Sequence, residues 1–286
     1  MQLKNYLPSP ALRAYVQFFR IVHFTFSGAR LPPAKLFPPR PQQYLAFYPF
    51  DRELIHFHNN PEPLSAQPAM FSGQQLFANT RHILGNNFLT LHIVFTPAGL
   101  HRLTGISAYE LTNRFMDAES LLGTATRQLN EQLFHARDYQ QMIQYAEVFM
   151  QGLINRRNAR PQGLDQAAHL LLQDQQLSLS KLAQAACLSP RQLQRQFRER
   201  IGLSPKQFAR AARFEKSFML KLRHPDRSWT EIAYECQYSH YQHLALDYQA
   251  FTGLSPTAYE ALDNQSPERL VGIAEQSYRE NRIGAF

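Results

Sequence analysis

The side chains best suited to chemistry lie on one stretch of the chain, residues 188–205. Ser189, Pro190 and Gln192 have the spacing of a helix N-terminus, with a capping hydroxyl, a proline in the first turn and an amide that completes a capping box. Apolar residues then recur at every fourth position, which predicts one buried stripe. The other face carries polar side chains: Arg191, Gln194, Arg195 and Arg198. Guanidinium and amide groups have forked donors and acceptors that fit base edges and phosphates.

A short amphipathic helix is predicted just upstream, at residues 177–187, and the two helices together have the pattern of a helix-turn-helix. Charge alone would favour a solvated helix pair in an ordinary bundle. A second copy of the pattern favours the helix-turn-helix, because the sequence Gly-Leu-Ser-Pro at 202–205 recurs at 253–256. Leu193 likewise has its counterpart in Leu244. The repeat indicates a tandem duplication.

One long helix is predicted between the two copies, beginning at the cap formed by Ser204 and Pro205 and ending at about Leu222. A helix of this length spans roughly 27 Å at a rise of about 1.5 Å per residue. This span would hold two recognition helices near the ~34 Å repeat of one DNA turn, on the same side of a duplex.

Residues 165–262 resemble the DNA-binding domain of AraC/XylS-type bacterial transcription regulators, in which one helix joins two helix-turn-helix units. The resemblance rests on the run L-A-Q-A-A-C-L-S-P-R-Q-L-Q-R-Q-F at 182–197, on the two G-L-S-P turns and on R-A-A-R-F at 210–214. It implies that the base-contacting side chains of the first unit are Arg191, Gln194 and Arg195. The flanking side chains Ser189 and Arg198 suit phosphate contacts.

The two units differ in charge. Residues 188–227 contain eleven Lys and Arg against three acidic residues, whereas 228–262 contain no Lys or Arg. The resemblance implies that the second recognition helix faces the groove with Tyr241, Gln242, His243 and Leu246. Many family members have Arg in place of Leu246 and Gly in place of Gln237. Three interpretations of the second unit stay open: weak DNA binding, contact with thymine methyl groups, or contact with a protein.

The first 110 residues or so have the pattern of short strands rich in aromatic and β-branched residues, with prolines between them. These strands are predicted at 16–26, 44–50, 53–58 and 88–96. They indicate a small antiparallel barrel or sandwich, followed by helices. The sequences P-S-P-A-L-R-A-Y-V at 8–16 and F-T-P-A-G-L-H-R-L-T-G-I-S-A-Y-E-L-T-N at 95–113 resemble the N-terminal domain of one AraC-type subgroup. That resemblance implies a cupin-like barrel followed by helices.

Histidines in the N-terminal half are the candidate metal ligands: His56, His58, His82, His92 and His101. A metal site needs about three of them to converge on one point with a carboxylate. Surface or hydrogen-bonded core roles are favoured instead, so we predict no metal and no cofactor. Aromatic residues on the strands could line an apolar ligand pocket, but core filling is the favoured interpretation. These aromatic residues are Phe18, Phe24, Phe26, Phe47 and Tyr48.

The composition limits the class of protein. The chain of 286 residues is long enough for two domains, and its net charge of +8 suits an anionic partner. No apolar run approaches the ~20 residues that span a bilayer, and no signal peptide begins the chain, so we predict a cytoplasmic protein without membrane contact. Cys187 and Cys236, the only cysteines, are predicted to be reduced and packed at helix ends. No catalytic motif is present, and we predict that the chain is not an enzyme.

These observations predict an α+β multidomain chain, with an N-terminal antiparallel β-barrel (cupin-like) followed by helices and a C-terminal all-α double helix-turn-helix. The predicted boundaries are a sensor domain at 1–156, a linker at 157–164, a DNA-binding domain at 165–262 and a tail at 263–286. The predicted function is sequence-specific transcription regulation on double-stranded DNA. A small-molecule effector, RNA polymerase and a second copy of the chain, as a homodimer, are further partners compatible with it. The alternative is a metal- or ligand-binding β-barrel protein whose helical half is a protein-interaction module.

Overall fold

Antiparallel strands form the first part of the N-terminal half. The computed structural model of the chain describes residues 2–26, 35–37, 39–57, 62–76, 80–83, 85–157 and 163–270. Its strands are β1 (Gln2–Tyr6), β2 (Val16–Thr25), β3 (Lys35–Leu36), β4 (Tyr44–Phe47), β5 (Leu54–Phe57), β6 (Leu64–Ser65), β7 (Ala69–Ser72), β8 (Thr80–Ile83), β9 (Asn87–Phe95) and β10 (Phe115–Asp117). One sheet has the order β1-β2-β9-β4-β7-β10 and the other has the order β3-β8-β5-β6.

The long strands β2 and β9 form the centre of the larger sheet. Phe19 pairs with Ile93 and Ile21 pairs with Leu91, and all four side chains are fully buried or nearly so. Alternate residues of paired strands face the same side, so this register places one continuous apolar surface on the core. Among the residues that the structure describes, no pairing joins the two sheets or connects β1 to β10. The predicted antiparallel class is confirmed, as two sheets without closure into one barrel.

The aromatic residues of these strands fill the core, as predicted. Phe18, Phe24, Phe47 and Tyr48 are almost completely buried, and Phe26 is half-buried beside Phe24. Within the described ranges, no three His, Cys, Asp or Glu side chains converge on one point. His92 instead stacks on Tyr44, with 4.5 Å between ring centroids, and His101 donates from Nδ1 to the carbonyl of Ile106. His58 and the side chain of His82 lie outside the described residues.

Helices follow the sheets and cover the larger one. They are α1 (Gly99–Thr104), α2 (Ala108–Leu111), α3 (Glu119–Leu122), α4 (Ala125–Phe134) and α5 (Tyr139–Arg157). Leu129 of α4 and Met150 of α5 pack into the same core as the sheet. The sequence pattern predicts one helix over 118–134, but Gly123 interrupts it with a φ of 71°, a left-handed conformation that glycine adopts without strain.

The C-terminal half is entirely helical in its described part. Its helices are α6 (Gly163–Gln173), α7 (Leu179–Ala185), α8 (Pro190–Ile201), α9 (Pro205–Arg223), α10 (Trp229–Glu235), α11 (Tyr241–Thr252), α12 (Pro256–Asp263) and α13 (Pro267–Leu270). Helix pairs α7–α8 and α10–α11 are the two predicted helix-turn-helix units, and α9 is the predicted uninterrupted helix between them. Phe208 and Ala212 of α9 are fully buried against the flanking helices. The all-α double helix-turn-helix is therefore confirmed.

The predicted linker and tail lie only partly in the described chain. Helix α5 continues to Arg157 and α6 begins at Gly163, so residues 158–162 of the linker are outside the described part. The tail begins with the end of α12 and with α13, and residues 271–286 are likewise outside. No described helix has the length and apolarity required to cross a membrane.

Candidate nucleic-acid interface

The first recognition helix, α8, begins and ends at residues whose local chemistry defines its ends. The Ser189 hydroxyl accepts a hydrogen bond from the Gln192 amide at 3.3 Å, and the Gln192 side chain accepts one from the Ser189 amide at 2.9 Å. This is the predicted capping box. At the other end, Gly202 has a φ of 98° and terminates the helix in the left-handed region. These two devices fix which side chains of α8 face outward.

The faces of α8 separate as the sequence predicts. Leu193, Phe197 and Ile201 are fully buried in the helical core. The polar side chains are exposed and line one cleft of about 640 Å³: Arg191, Gln194, Arg195 and Arg198. Ser189 is exposed at the start of the same helix. The five predicted contact residues of the first unit therefore lie along one helix, with four of them on one open surface.

The second recognition helix, α11, begins differently. His240 occupies the N-cap position and its Nδ1 accepts from the His243 amide at 3.2 Å. Gln242 is exposed, whereas Tyr241 and His243 are half-buried. His243 Nε2 accepts from Arg213 at 3.5 Å, which leaves Nδ1–H to donate to the Ser239 hydroxyl at 3.2 Å. The predicted contact residues are thus together at the start of α11, but His243 is already engaged by the protein.

A buried aspartate organises the second unit. Asp247 is 3% exposed, and it accepts hydrogen bonds from Arg210 Nε at 2.6 Å and from the Tyr238 hydroxyl at 3.1 Å. Arg213 forms an ion pair with the same carboxylate at 3.6 Å. Arg210 and Arg213 belong to α9, so the linking helix supplies cations to the second unit. The charge count along the sequence does not reveal this pairing, although an acidic residue on the apolar face of α11 is a signal for it.

Two more cations of the 188–227 stretch are also paired with acidic residues of the second unit. Lys221 Nζ lies 3.4 Å from Glu260, and Arg227 pairs with Glu235. The predicted local positive charge therefore overstates what is available to a nucleic acid. The exposed arginines of α8 keep their charge at the surface, whereas these paired cations neutralise acidic residues of the second unit.

Both helix-turn-helix turns contain a residue in the left-handed region. Cys187 has a φ of 54° and Gln237 has a φ of 60°. Residues other than glycine, asparagine and aspartate rarely adopt this backbone conformation. Gln237 is the position at which the resemblance leads one to expect glycine, and the structure shows why. Cys187 is exposed rather than packed, whereas Cys236 is buried, and burial raises the pKa of its thiol to about 12.

The recognition helices share one cleft on the same side of α9. This cleft, of about 900 Å³, is lined by Gln194 of α8 and by His243 and Leu246 of α11. Lys206 and Arg210 of α9 also line it. Leu246 is 67% exposed, so its apolar side chain faces solvent in the position where the resemblance implies arginine. The arrangement allows both helices to approach one surface.

Comparisons with known proteins give one family match. Residues 182–261 match a family model described as a helix-turn-helix domain. No curated protein matches the chain.

Several solved structures have low similarity to the chain. ToxT from Vibrio cholerae is 10% identical with a TM-score of 0.48, over 85% of this chain and 98% of that chain. ToxT from Vibrio cholerae O395 bound to (E)-4-(8-methylnaphthalen-1-yl)but-3-enoic acid is 9% identical with a TM-score of 0.48, over the same shares. The AraC-like transcriptional activator CuxR is 13% identical with a TM-score of 0.26, over 70% of this chain and 77% of that chain. TM-scores below 0.5 do not establish a common fold.

The family match spans α7 to α12, which are the two helix-turn-helix units and the helix that joins them. It covers the three capping boxes that begin α8, α9 and α10, both G-L-S-P turns and all eight predicted contact residues. The match therefore identifies residues 182–261 as a helix-turn-helix domain.

Proposed function

We propose that this chain is a sequence-specific transcription regulator that binds double-stranded DNA mainly through α8. The observation that carries the proposal is the exposed row of Arg191, Gln194, Arg195 and Arg198 on a helix whose opposite face is fully buried. A helix of this kind fits the major groove, where arginine and glutamine form bidentate contacts with base edges. The match of this region to a helix-turn-helix family supports the same conclusion.

Individual roles follow from position on α8. We assign base contacts to Arg191, Gln194 and Arg195, which occupy the first half of the helix, and phosphate contacts to Ser189 and Arg198. Recognition helices contact bases with their N-terminal residues, which agrees with this division.

We assign a weaker role to the start of α11. Tyr241, Gln242 and His243 offer neutral donors and acceptors. Both ring nitrogens of His243 are already hydrogen-bonded, one to Arg213 and the other to Ser239. Neutral side chains release no condensed counterions from DNA, so they add little non-specific affinity. The second unit therefore adds sequence preference more than affinity.

The N-terminal half, 1–156, is the proposed sensor domain, and a small-molecule effector is its proposed ligand. Contacts with the helical half support a regulatory coupling between them. Arg102 pairs with Asp165 of α6, and Gln42 donates to buried Glu215 of α9 at 2.8 Å. Burial raises the pKa of Glu215, while Arg40 and the Gln42 hydrogen bond oppose that rise. RNA polymerase and a second copy of the chain are the other proposed partners.

Salt-dependent binding to DNA tests the function. We expect the chain to bind genomic DNA fragments in a selection experiment. The logarithm of the observed binding constant should fall linearly with the logarithm of the salt concentration, with a slope of about −0.9 for each neutralised phosphate. The double variant R191A/R195A should lose this binding. Arg127→Ala is the matched control, because Arg127 is exposed and pairs with Glu119 in the N-terminal half. Failure of the unmodified chain to bind any fragment at low salt would favour a protein-interaction module instead.

A further inference from the structure

Two residues of the N-terminal half form hydrogen bonds with the C-terminal end of the first recognition helix. Gln74 Nε2 donates to the carbonyl of Ile201, and the Thr112 hydroxyl donates to the carbonyl of Gly202 at 2.9 Å. The last carbonyls of a helix have no partner within it, so these bonds complete the C-terminus of α8 from outside. The contact is tightly packed, because a Cβ atom added to Gly202 would lie 2.6 Å from the Gln74 side chain, closer than van der Waals contact. Helix α2 is thereby held against α8.

From this position the N-terminal half reaches onto the recognition surface. The guanidinium of Arg198 lies over the ring of Tyr109, with 3.8 Å between its central carbon and the ring centroid. The Ser107 hydroxyl donates to the carbonyl of Glu199 at 3.5 Å. Ser107 and Tyr109 line the same cleft as the exposed side chains of α8, although Tyr109 itself remains 48% exposed. An aromatic ring from another element therefore stands among the proposed DNA contacts.

The dimensions of DNA make this ring an obstacle. An α-helix with its side chains is about 10–12 Å across. The major groove is about 12 Å wide and admits one helix. A groove filled by α8 has no room for Tyr109 and α2 on the same face. In addition, the Tyr109 ring covers one face of the Arg198 guanidinium. This restricts the orientations in which Arg198 can bind a phosphate.

We propose that residues 107–112 mask the first recognition helix, so that DNA and this segment compete for α8. The inference rests on the proposed function, because it takes Arg198 and its neighbours as DNA contacts. It assigns a role to the 95–113 motif, which otherwise has none in DNA binding: the N-terminal half restrains α8 directly. Release of Tyr109 from Arg198 is the step that opens the surface.

The first test compares full-length Tyr109→Ala with the unmodified chain on a labelled mixed-sequence duplex at low salt. We expect roughly 2- to 5-fold tighter binding, the range set by losing one exposed cation–π contact. Tyr234→Ala is the matched control, because Tyr234 is a 62% exposed tyrosine on α10. It should bind like the unmodified chain. Equal or weaker binding by Tyr109→Ala would overturn the mask while leaving the proposed function intact.

A second measurement uses the unmodified chain, so it decides the question even if the variant folds poorly. Amide hydrogen exchange of residues 107–112 should accelerate when the same duplex is added, because DNA displaces the segment from α8. Stronger protection on adding DNA would show that the segment joins the interface, and it would overturn the mask. If neither the unmodified chain nor Tyr109→Ala binds DNA, the proposed function fails, and the inference fails with it.

Discussion

The two helix-turn-helix units of this chain share an architecture and use charge in opposite ways. In the first unit, Arg191 and Arg195 stand on the exposed face of α8 and point to the cleft. In the second unit, the nearby cations Arg210 and Arg213 come from α9 and turn inward to Asp247. In the first unit the cations of the recognition helix are exposed, whereas in the second unit cations of α9 stabilise the packing of α9 against α11.

This difference shows that the position of a cation in the sequence does not decide its role. Eleven Lys and Arg lie between 188 and 227, and the sequence alone shows them only as a local excess of positive charge. The structure pairs four of them with acidic residues of the second unit: Arg210, Arg213, Lys221 and Arg227. The absence of Lys and Arg in 228–262 is therefore partly balanced from the neighbouring helix.

The buried carboxylate of Asp247 should give the largest effect on stability. Asp247→Asn removes the charge opposite two arginines, and we expect the free energy of unfolding to fall by about 2–3 kcal/mol. This is below the usual range of about 3–5 kcal/mol for a broken buried pair, because the Arg210 side chain is 40% exposed and keeps part of its hydration.

Denaturant unfolding measures this loss. Glu119→Gln is the matched control, since it breaks an exposed pair with Arg127, worth less than about 1 kcal/mol. If Asp247→Asn costs no more than Glu119→Gln, the second unit is not organised around its aspartate.

The turns of the two units should respond alike, with a smaller effect. Gln237→Gly and Cys187→Gly each remove a side chain from a left-handed residue, and we expect each to raise the free energy of unfolding by about 0.5–1 kcal/mol. Thermal unfolding of each single variant measures the gain. Gln184→Gly, in the exposed face of α7, should instead lower stability by roughly 1 kcal/mol. A lower free energy of unfolding for Gln237→Gly would mean that contacts of the Gln237 side chain stabilise the turn by more than its left-handed backbone costs.

Local signals in the sequence predict the helical half well. The capping boxes of α8 and α9, and the buried stripe of Leu193, Phe197 and Ile201, depend on residues within one or two turns of each other. The arrangement of the strands is less predictable, because a strand such as β10 pairs with β7, whose residues lie more than 40 positions earlier in the chain. Short strands owe their pairing to distant partners, which no local pattern contains.

The candidate site likewise contains parts that the sequence predicts and parts that it does not. The outward face of α8 follows from helical periodicity, so its polar row was predictable. The pairing of Asp247 with Arg210 and the stacking of Tyr109 on Arg198 join residues far apart in the chain, and charge counts do not reveal them. Both contacts engage cations that a count along the sequence would treat as free.

The most direct test of the difference between the units is a salt titration of operator binding by Arg195→Ala, Gln242→Ala and His243→Ala. We predict that Arg195→Ala costs about 1–3 kcal/mol and relaxes preference at one base position, because a bidentate contact is lost. It should also reduce the salt slope if Arg195 displaces counterions. Gln242→Ala and His243→Ala should each cost clearly less, with an unchanged slope. If either weakens binding as much as Arg195→Ala, the two units contribute equally and the account is contradicted.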